Sequence, residues 1–182
     1  KSRNHLPGGW HQTVLVLQPH FMDDETIPSN SLGSVLNKGY ERFYTQSDGG
    51  DMCVRRHPNG LFVISLAPSH PLLAPAAPKV TQVTFGADLA ENEAYGKRCR
   101  GGANVGLRTV LAEVSSEAEN YNICCPIEAR LVELNALLQE DPQLLQRAPE
   151  DEGFLAILQA RRPQDTQRIL QKLLDESSYS CL

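Results

Sequence analysis

The 182-residue sequence contains no C-x-x-C pair, no Cys and His at zinc-ligand spacing, no N-x-[ST] sequon and no apolar run long enough to span a bilayer. The first two absences remove a structural zinc site and a thioredoxin-like redox motif. An odd count of five cysteines without a sequon fits a reducing compartment, cytoplasmic or nuclear. The short apolar run Thr13–Leu17 lacks the length and cleavage site of a signal peptide, so a soluble chain with no membrane role is expected. It opens on Lys1, not Met, which raises the expectation that residues precede it. Aromatics make up only 6%, whereas 12 prolines and 13 glycines punctuate the chain; this composition favours a loop-rich β domain over a helical bundle. A formal charge of -5 argues against wrapping of DNA or RNA, and no direct nucleic-acid binding is expected. Lysine is absent between Lys97 and Lys172.

The chain is organised around Asn122–Leu158. Ile123, Ile127, Leu131 and Leu134, with Val132 beside them, are interleaved with Glu128, Arg130 and Glu133, the loose alternation of a strand with one buried face. Asp141-Pro142 supplies a capping side chain followed by proline at a first helical position, predicting a short helical turn over Pro142–Gln146. Gly153–Leu158 reads as a returning strand.

Upstream, the extension to about Asn37 is Pro- and Gly-rich, and Thr13–Leu17 offers it an edge strand. Val35–Tyr44 has helical apolar spacing and predicts a short helix or anchor. Met52–Arg56, the turn Pro58-Asn59-Gly60 and Leu61–Leu66 form the clearest hairpin. Pro68–Pro78 holds four prolines and predicts a loop, and Val80–Phe85 is a strongly alternating strand. A basic, glycine-rich turn (Gly96–Ala103), a strand over Leu107–Val114 and a polar turn over Ser115–Asn120 follow. Pro163–Ser177 predicts a closing helix with a narrow stripe of Ile169, Leu170, Leu173 and Leu174.

A proline, a strand ending E-x-N, a D-P-x-L-L turn and E-G-F-L before a last strand (Pro126, Glu133, Asn135, Asp141 to Leu145, Glu152 to Leu155) resemble the C-terminal half of the glycine cleavage H protein. Within that group, Phe62–Leu73, the G-K-R-C-R-G-G-A turn, N-I-C-C and R-L-V-E-L-N are similar to the Abitram (Simiate) family, over about residues 41 to 160. The extension before residue 41 departs from the family pattern. The resemblance implies a mainly β fold, a flattened β-barrel or barrel-sandwich hybrid of H protein type, with a short helix after the central strand and a C-terminal helix. The expected parts are an irregular extension with a short helix (1–46), the barrel-sandwich hybrid domain (47–160) and a C-terminal amphipathic helix (161–182). It also implies a non-enzymatic, actin-binding role with a nuclear regulatory side, in the cytoplasm or nucleus and associated with the cytoskeleton. Two alternatives stay open: a structural adaptor subunit of a larger cytoskeletal or ciliary assembly, and a degenerate carrier domain that docks on a lipoate-handling enzyme.

The H protein carries lipoate on a lysine at a hairpin tip. Here the matching stretch is Ala112–Ala118, which has no lysine, so no amide-linked lipoate or biotin and no cofactor is expected. Glu113, Glu117 and Glu119 cluster near that turn, but read best as a solvated tip. His57 and His70 lie beside prolines without a partner at triad or ligand spacing. Ser65 and Ser69 lack a G-x-S-x-G setting, and Lys97 precedes its glycines where a phosphate loop needs it after them. Strand alternation predicts one buried and one exposed thiol for Cys124-Cys125. No catalytic or metal residue is assigned. The candidate partner-binding residues are a basic patch of Arg55, Arg56, Lys97, Arg98 and Arg100, with Arg108 beside it, and the stripe Ile169, Leu170, Leu173 and Leu174. Arginines pair carboxylates bidentately, so an acidic protein such as actin suits the patch.

Overall fold

The computed structural model describes residues 39–47, 49–90 and 102–181. Thr13–Leu17, the rest of the extension through residue 38, and Lys97, Arg98 and Arg100 lie outside the described residues.

The described chain is built mainly from antiparallel strands. β1 (Glu41–Thr45) and β2 (Met52–Arg56) lead into β3 (Leu61–Leu66) and, past the proline-rich loop, β4 (Val80–Phe85). The short β5 (Asn104–Val105) precedes β6 (Val110–Ser116), β7 (Asn120–Cys124) and β8 (Ala129–Leu134). β9 (Ala156–Gln159) and the two-residue β10 (Leu174–Asp175) complete the set. One sheet has the order β10-β1-β2-β3-β9-β8-β5 and the other β4-β6-β7, a mainly β, two-layered barrel-sandwich architecture. Phe62, Ile64, Leu66, Leu111, Leu131 and Leu158 are fully buried in one core cluster that draws on strands of both sheets.

The β2–β3 hairpin matches its predicted ends. Gly60 takes a φ of +89°, which favours glycine, while Asn59 Oδ1 accepts from Leu61 N–H at 3.0 Å. The predicted helix over Val35–Tyr44 is corrected where it is described. Glu41–Thr45 is a strand between β2 and β10, because an extended segment here satisfies backbone groups on both sides. The strand predicted from Leu107 begins at Val110, since Leu107–Thr109 is a turn in which Thr109 Oγ1 accepts from Gly106 N–H at 3.0 Å.

The central stretch is two strands, not one. β7 belongs to the small sheet and β8 to the large one, with Pro126 between them, where a ladder N–H is missing. Ile123, Cys125, Ile127, Ala129 and Leu131 are all buried, so alternation survives the change of sheet and the sequence reads as continuous. An irregularity between Leu131 and Glu133 then shifts the register, which lets Leu131 and Leu134, three apart, both pack on the core.

The E-x-N and E-G-F-L residues meet in space. Asn135, only 3% exposed, donates from Nδ2 to the carbonyls of Glu152 (2.6 Å) and Phe154 (2.8 Å). Gly153 lies so close to its neighbours that a Cβ would fall 2.2 Å from the Leu144 carbonyl oxygen. The helical turn after Asp141-Pro142 spans Leu144–Arg147, and Asp141 Oδ1 accepts from Gln143 N–H at 3.2 Å. Gln146 from this turn holds the proline-rich loop, bonding the Leu72 and Pro78 carbonyls and the Val80 N–H at 2.8–3.0 Å.

The predicted long C-terminal helix is shorter. Asp165–Leu170 is helical, the chain then unwinds into β10 on the exposed edge of β1, and a further turn spans Glu176–Tyr179. Edge pairing outweighs helix continuation because β1 would otherwise present unpaired backbone. Asp175 caps the last turn, accepting from Ser178 N–H at 2.7 Å. Tyr179 stacks on Tyr44 with ring centroids 4.1 Å apart, and its hydroxyl donates to Asp51 at 2.9 Å.

Candidate functional site

At the β6–β7 turn, where a carrier domain holds its lysine, the chain presents Ser116, Glu117, Ala118 and Glu119. Ser116 Oγ accepts from Glu119 N–H at 3.0 Å and closes the turn locally. Lys79, just before β4, meets this turn through its backbone carbonyl, which accepts from Glu117 N–H at 3.0 Å. The tip itself offers carboxylates, which cannot form an amide with lipoate.

The other polar candidates serve the fold. His70 is fully buried, and Nδ1 accepts from Leu72 N–H at 3.2 Å, shaping the loop. Burial lowers its pKa, opposed by the nearby Asp51 carboxylate. His57 Nδ1 accepts from Asn59 N–H at 3.2 Å within the hairpin turn. Ser69 donates to Asp51 at 2.7 Å, and Ser65 is buried beside Cys53, whose thiol burial pushes up to about 11. Cys124 is exposed and Cys125 buried, as strand alternation predicts. Among the described residues no group of three or more His, Cys, Asp or Glu is placed to hold a metal ion.

Of the basic residues picked from sequence, only Arg55, Arg56 and Arg108 are among the described residues. Arg55 and Arg56 are successive on β2 and so face opposite sides. Arg55 is 7% exposed with its guanidinium 5.6 Å from the Tyr40 ring centroid, while Arg56 pairs with Glu41 at 2.7 Å. Arg108 is exposed on the turn before β6. Ile169 is buried in the main core, Leu170 and Leu173 pack against it, and Leu174 packs on the Tyr44–Cys53–Ala67 cluster. Burying a leucine or isoleucine contributes roughly 1.5–3 kcal/mol, which is reason enough for the stripe.

Among the described residues, basic side chains gather where β9 hands over to the C-terminal segment. A cleft of about 770 Å³ is lined by buried Met52, Ile127 and Ile169 and by exposed Arg161, Arg162, Arg168 and Lys172. Glu128 and Asp165 are its acidic members, and Cys124 and Leu107 also line it; Leu107 is 56% exposed. A second cleft of about 650 Å³ is lined by Arg56, Arg130, Arg161 and Arg162, and no carboxylate lines it. Among the described residues, six lysines and arginines therefore line the two clefts, against two acidic residues. β9 delivers Arg161-Arg162 to the surface, Pro163 turns the chain, and Arg168 and Lys172 follow at helical spacing. The signal was present in the sequence: it lay on the polar side of the stretch whose apolar stripe drew attention.

No family model matches the chain. In fold it is similar to a glycine cleavage system H protein from Mycobacterium marinum, with a TM-score of 0.53 at 18% identity, covering 78% of this chain and 94% of that one. The fold is that of an H protein-like domain. By sequence the chain is similar to Protein Abitram of Gallus gallus, 32% identical over 133 residues, which cover 71% of this chain and 76% of the relative. The Xenopus tropicalis relative is 29% identical (80% and 84% covered) and that of Drosophila melanogaster 30% (80% and 68%). This chain belongs to the Abitram family.

Proposed function

We propose that this chain is a non-enzymatic protein-binding module that binds actin and modulates its assembly. A nuclear regulatory role accompanies this, and the protein works in the cytoplasm and nucleus beside the cytoskeleton. The observation that carries the binding-module part is a carrier-type fold whose tip has lost its amine while cations gather around two clefts elsewhere. Membership of the Abitram family supports actin as the partner, as does the fit between a basic surface on an acidic chain and an acidic protein. Co-sedimentation with actin filaments and a monomer-binding assay, each at two salt concentrations, test it. Binding that weakens with salt is expected, and so is a loss of affinity when Lys97, Arg98 and Arg100 are changed to Ala in the basic turn. No binding by the natural chain would remove actin and favour an adaptor subunit, recognisable as a stoichiometric set of other proteins in a native pull-down. The intact mass of protein from its source should carry no lipoyl increment.

A further inference from the structure

Arg161 and Arg162 line both clefts, so an apolar-floored cleft and an arginine cleft meet on one dipeptide. We infer that the two clefts form a single binding site for an acidic segment of a partner protein, with an apolar side chain of that segment entering the first cleft. The inference rests on the protein-binding reading above and names the surface and the chemistry of what it holds.

The floor sets the apolar requirement. Met52, Ile127 and Ile169 are buried yet border open space, and Leu107 stands beside them. A volume of about 770 Å³ is in the range of ligand sites, and filling it with an apolar group removes water from both surfaces. The rim sets the charge requirement. Exposed Arg161, Arg162, Arg168 and Lys172 can reach an incoming carboxylate, and guanidinium groups take carboxylates two bonds at a time. Arg56 is already held by Glu41 and serves as wall. Polarity along the site follows from its acids: Glu128 and Asp165 lie in the first cleft and none lines the second. The bound carboxylates are therefore directed toward the arginine cleft and the apolar residue toward the other. A nucleic acid meets the cations less well. No aromatic residue lines the second cleft, and Tyr44 in the first is 4% exposed and stacked on Tyr179, so bases find no platform.

The test uses the full chain and a short synthetic peptide of Glu and Asp around a central Leu-Phe pair, with the same peptide lacking that pair and an RNA homopolymer as comparisons. Titration should give the apolar-centred acidic peptide the tightest binding of the three. Arg161→Gln with Arg162→Gln should weaken it by about tenfold or more, and Arg168→Gln with Lys172→Gln by a smaller factor. Arg147→Gln, an exposed arginine outside both clefts, should leave it unchanged. Cys124 lines the first cleft and is exposed, so saturating peptide should slow its alkylation several-fold, located by peptide mapping. Wild-type affinity in the folded Arg161/Arg162 variant, unprotected Cys124, or tighter binding of the RNA would each overturn the inference. Actin sedimentation of the same proteins separates the two proposals. Actin bound without the peptide sinks this site alone, and peptide bound in the clefts without actin sinks the actin reading alone.

Discussion

Asn135 offers a test in which two nearly isosteric substitutions part company. The side chain donates two hydrogen bonds, to the carbonyls of Glu152 and Phe154 at 2.6 and 2.8 Å, and accepts one from Leu137 N–H at 3.3 Å. Its own N–H donates to the Leu155 carbonyl at 3.1 Å, so the residue pins the loop that feeds β9. Removing the amide in Asn135→Ala deletes all three side-chain bonds at a site 3% exposed. At about 0.5–1.5 kcal/mol each, partly recovered because the Glu152–Phe154 loop reaches solvent, the cost should be about 1–3 kcal/mol. Asn135→Asp keeps the shape and the acceptor for Leu137, yet sets carboxylate oxygens where two donors stood. It should therefore cost more than Ala at neutral pH, although it removes fewer atoms. The excess should shrink as pH falls, because a protonated carboxyl regains one donor. Urea melts at neutral and acid pH, read as midpoint shifts at constant slope, provide the measurement. An Asp variant as stable as the natural chain, or milder than Ala at neutral pH, would refute this role for Asn135.

Leu131 is fully buried in the core, and Leu131→Ala should cost roughly 2–5 kcal/mol in denaturant melts; a change within about 0.5 kcal/mol would contradict the register of β8. For His70 the buried ring has a lowered pKa, so the unfolded chain protonates first as pH falls. Stability should be complete above about pH 6.5 and decline below it, more steeply than in His70→Asn, which keeps an acceptor for Leu72 N–H without titrating. Cys125 donates from Sγ to the Ile127 carbonyl at 3.1 Å, and burial pushes its thiol up to about 12, so alkylation of the native protein should mark Cys124 quickly and Cys125 only on unfolding.

What the sequence disclosed and what it hid divide along physical lines. The β2–β3 hairpin and β4 were legible because their turn residues and period-two patterns are local. The crossover at Pro126 was not, since burial alternates unbroken from Ile123 to Leu131 and a change of sheet leaves no mark on that pattern. β10 was missed for a related reason: it is fixed by a partner more than a hundred residues away in the chain, Leu174 beside Tyr44, while β1, which also pairs with β2, was hidden by the helical apolar spacing of Val35–Tyr44. Of the site, the absence of lysine from Ala112–Ala118 is read directly from the sequence. The Arg161–Arg162 clefts are not, because their walls come from β2, the Cys124–Glu128 crossover and the C-terminal segment, which only the fold brings together.

β7 joins the β6–β7 turn to the first cleft. Its first residue, Asn120, borders that turn, and its last, Cys124, lines the first cleft. At about 3.3 Å per residue these ends stand roughly 13 Å apart along one strand. What the fold provides is a rigid strand whose far end sits among cations. Arg162, Arg168 and Lys172 are exposed, and Arg161, also exposed, donates to the Val105 carbonyl at 3.5 Å, whereas the apolar residues beneath them are buried. Charge on a rigid apolar floor serves recognition of another chain better than it serves stability, since exposed ion pairs contribute at most about 1 kcal/mol.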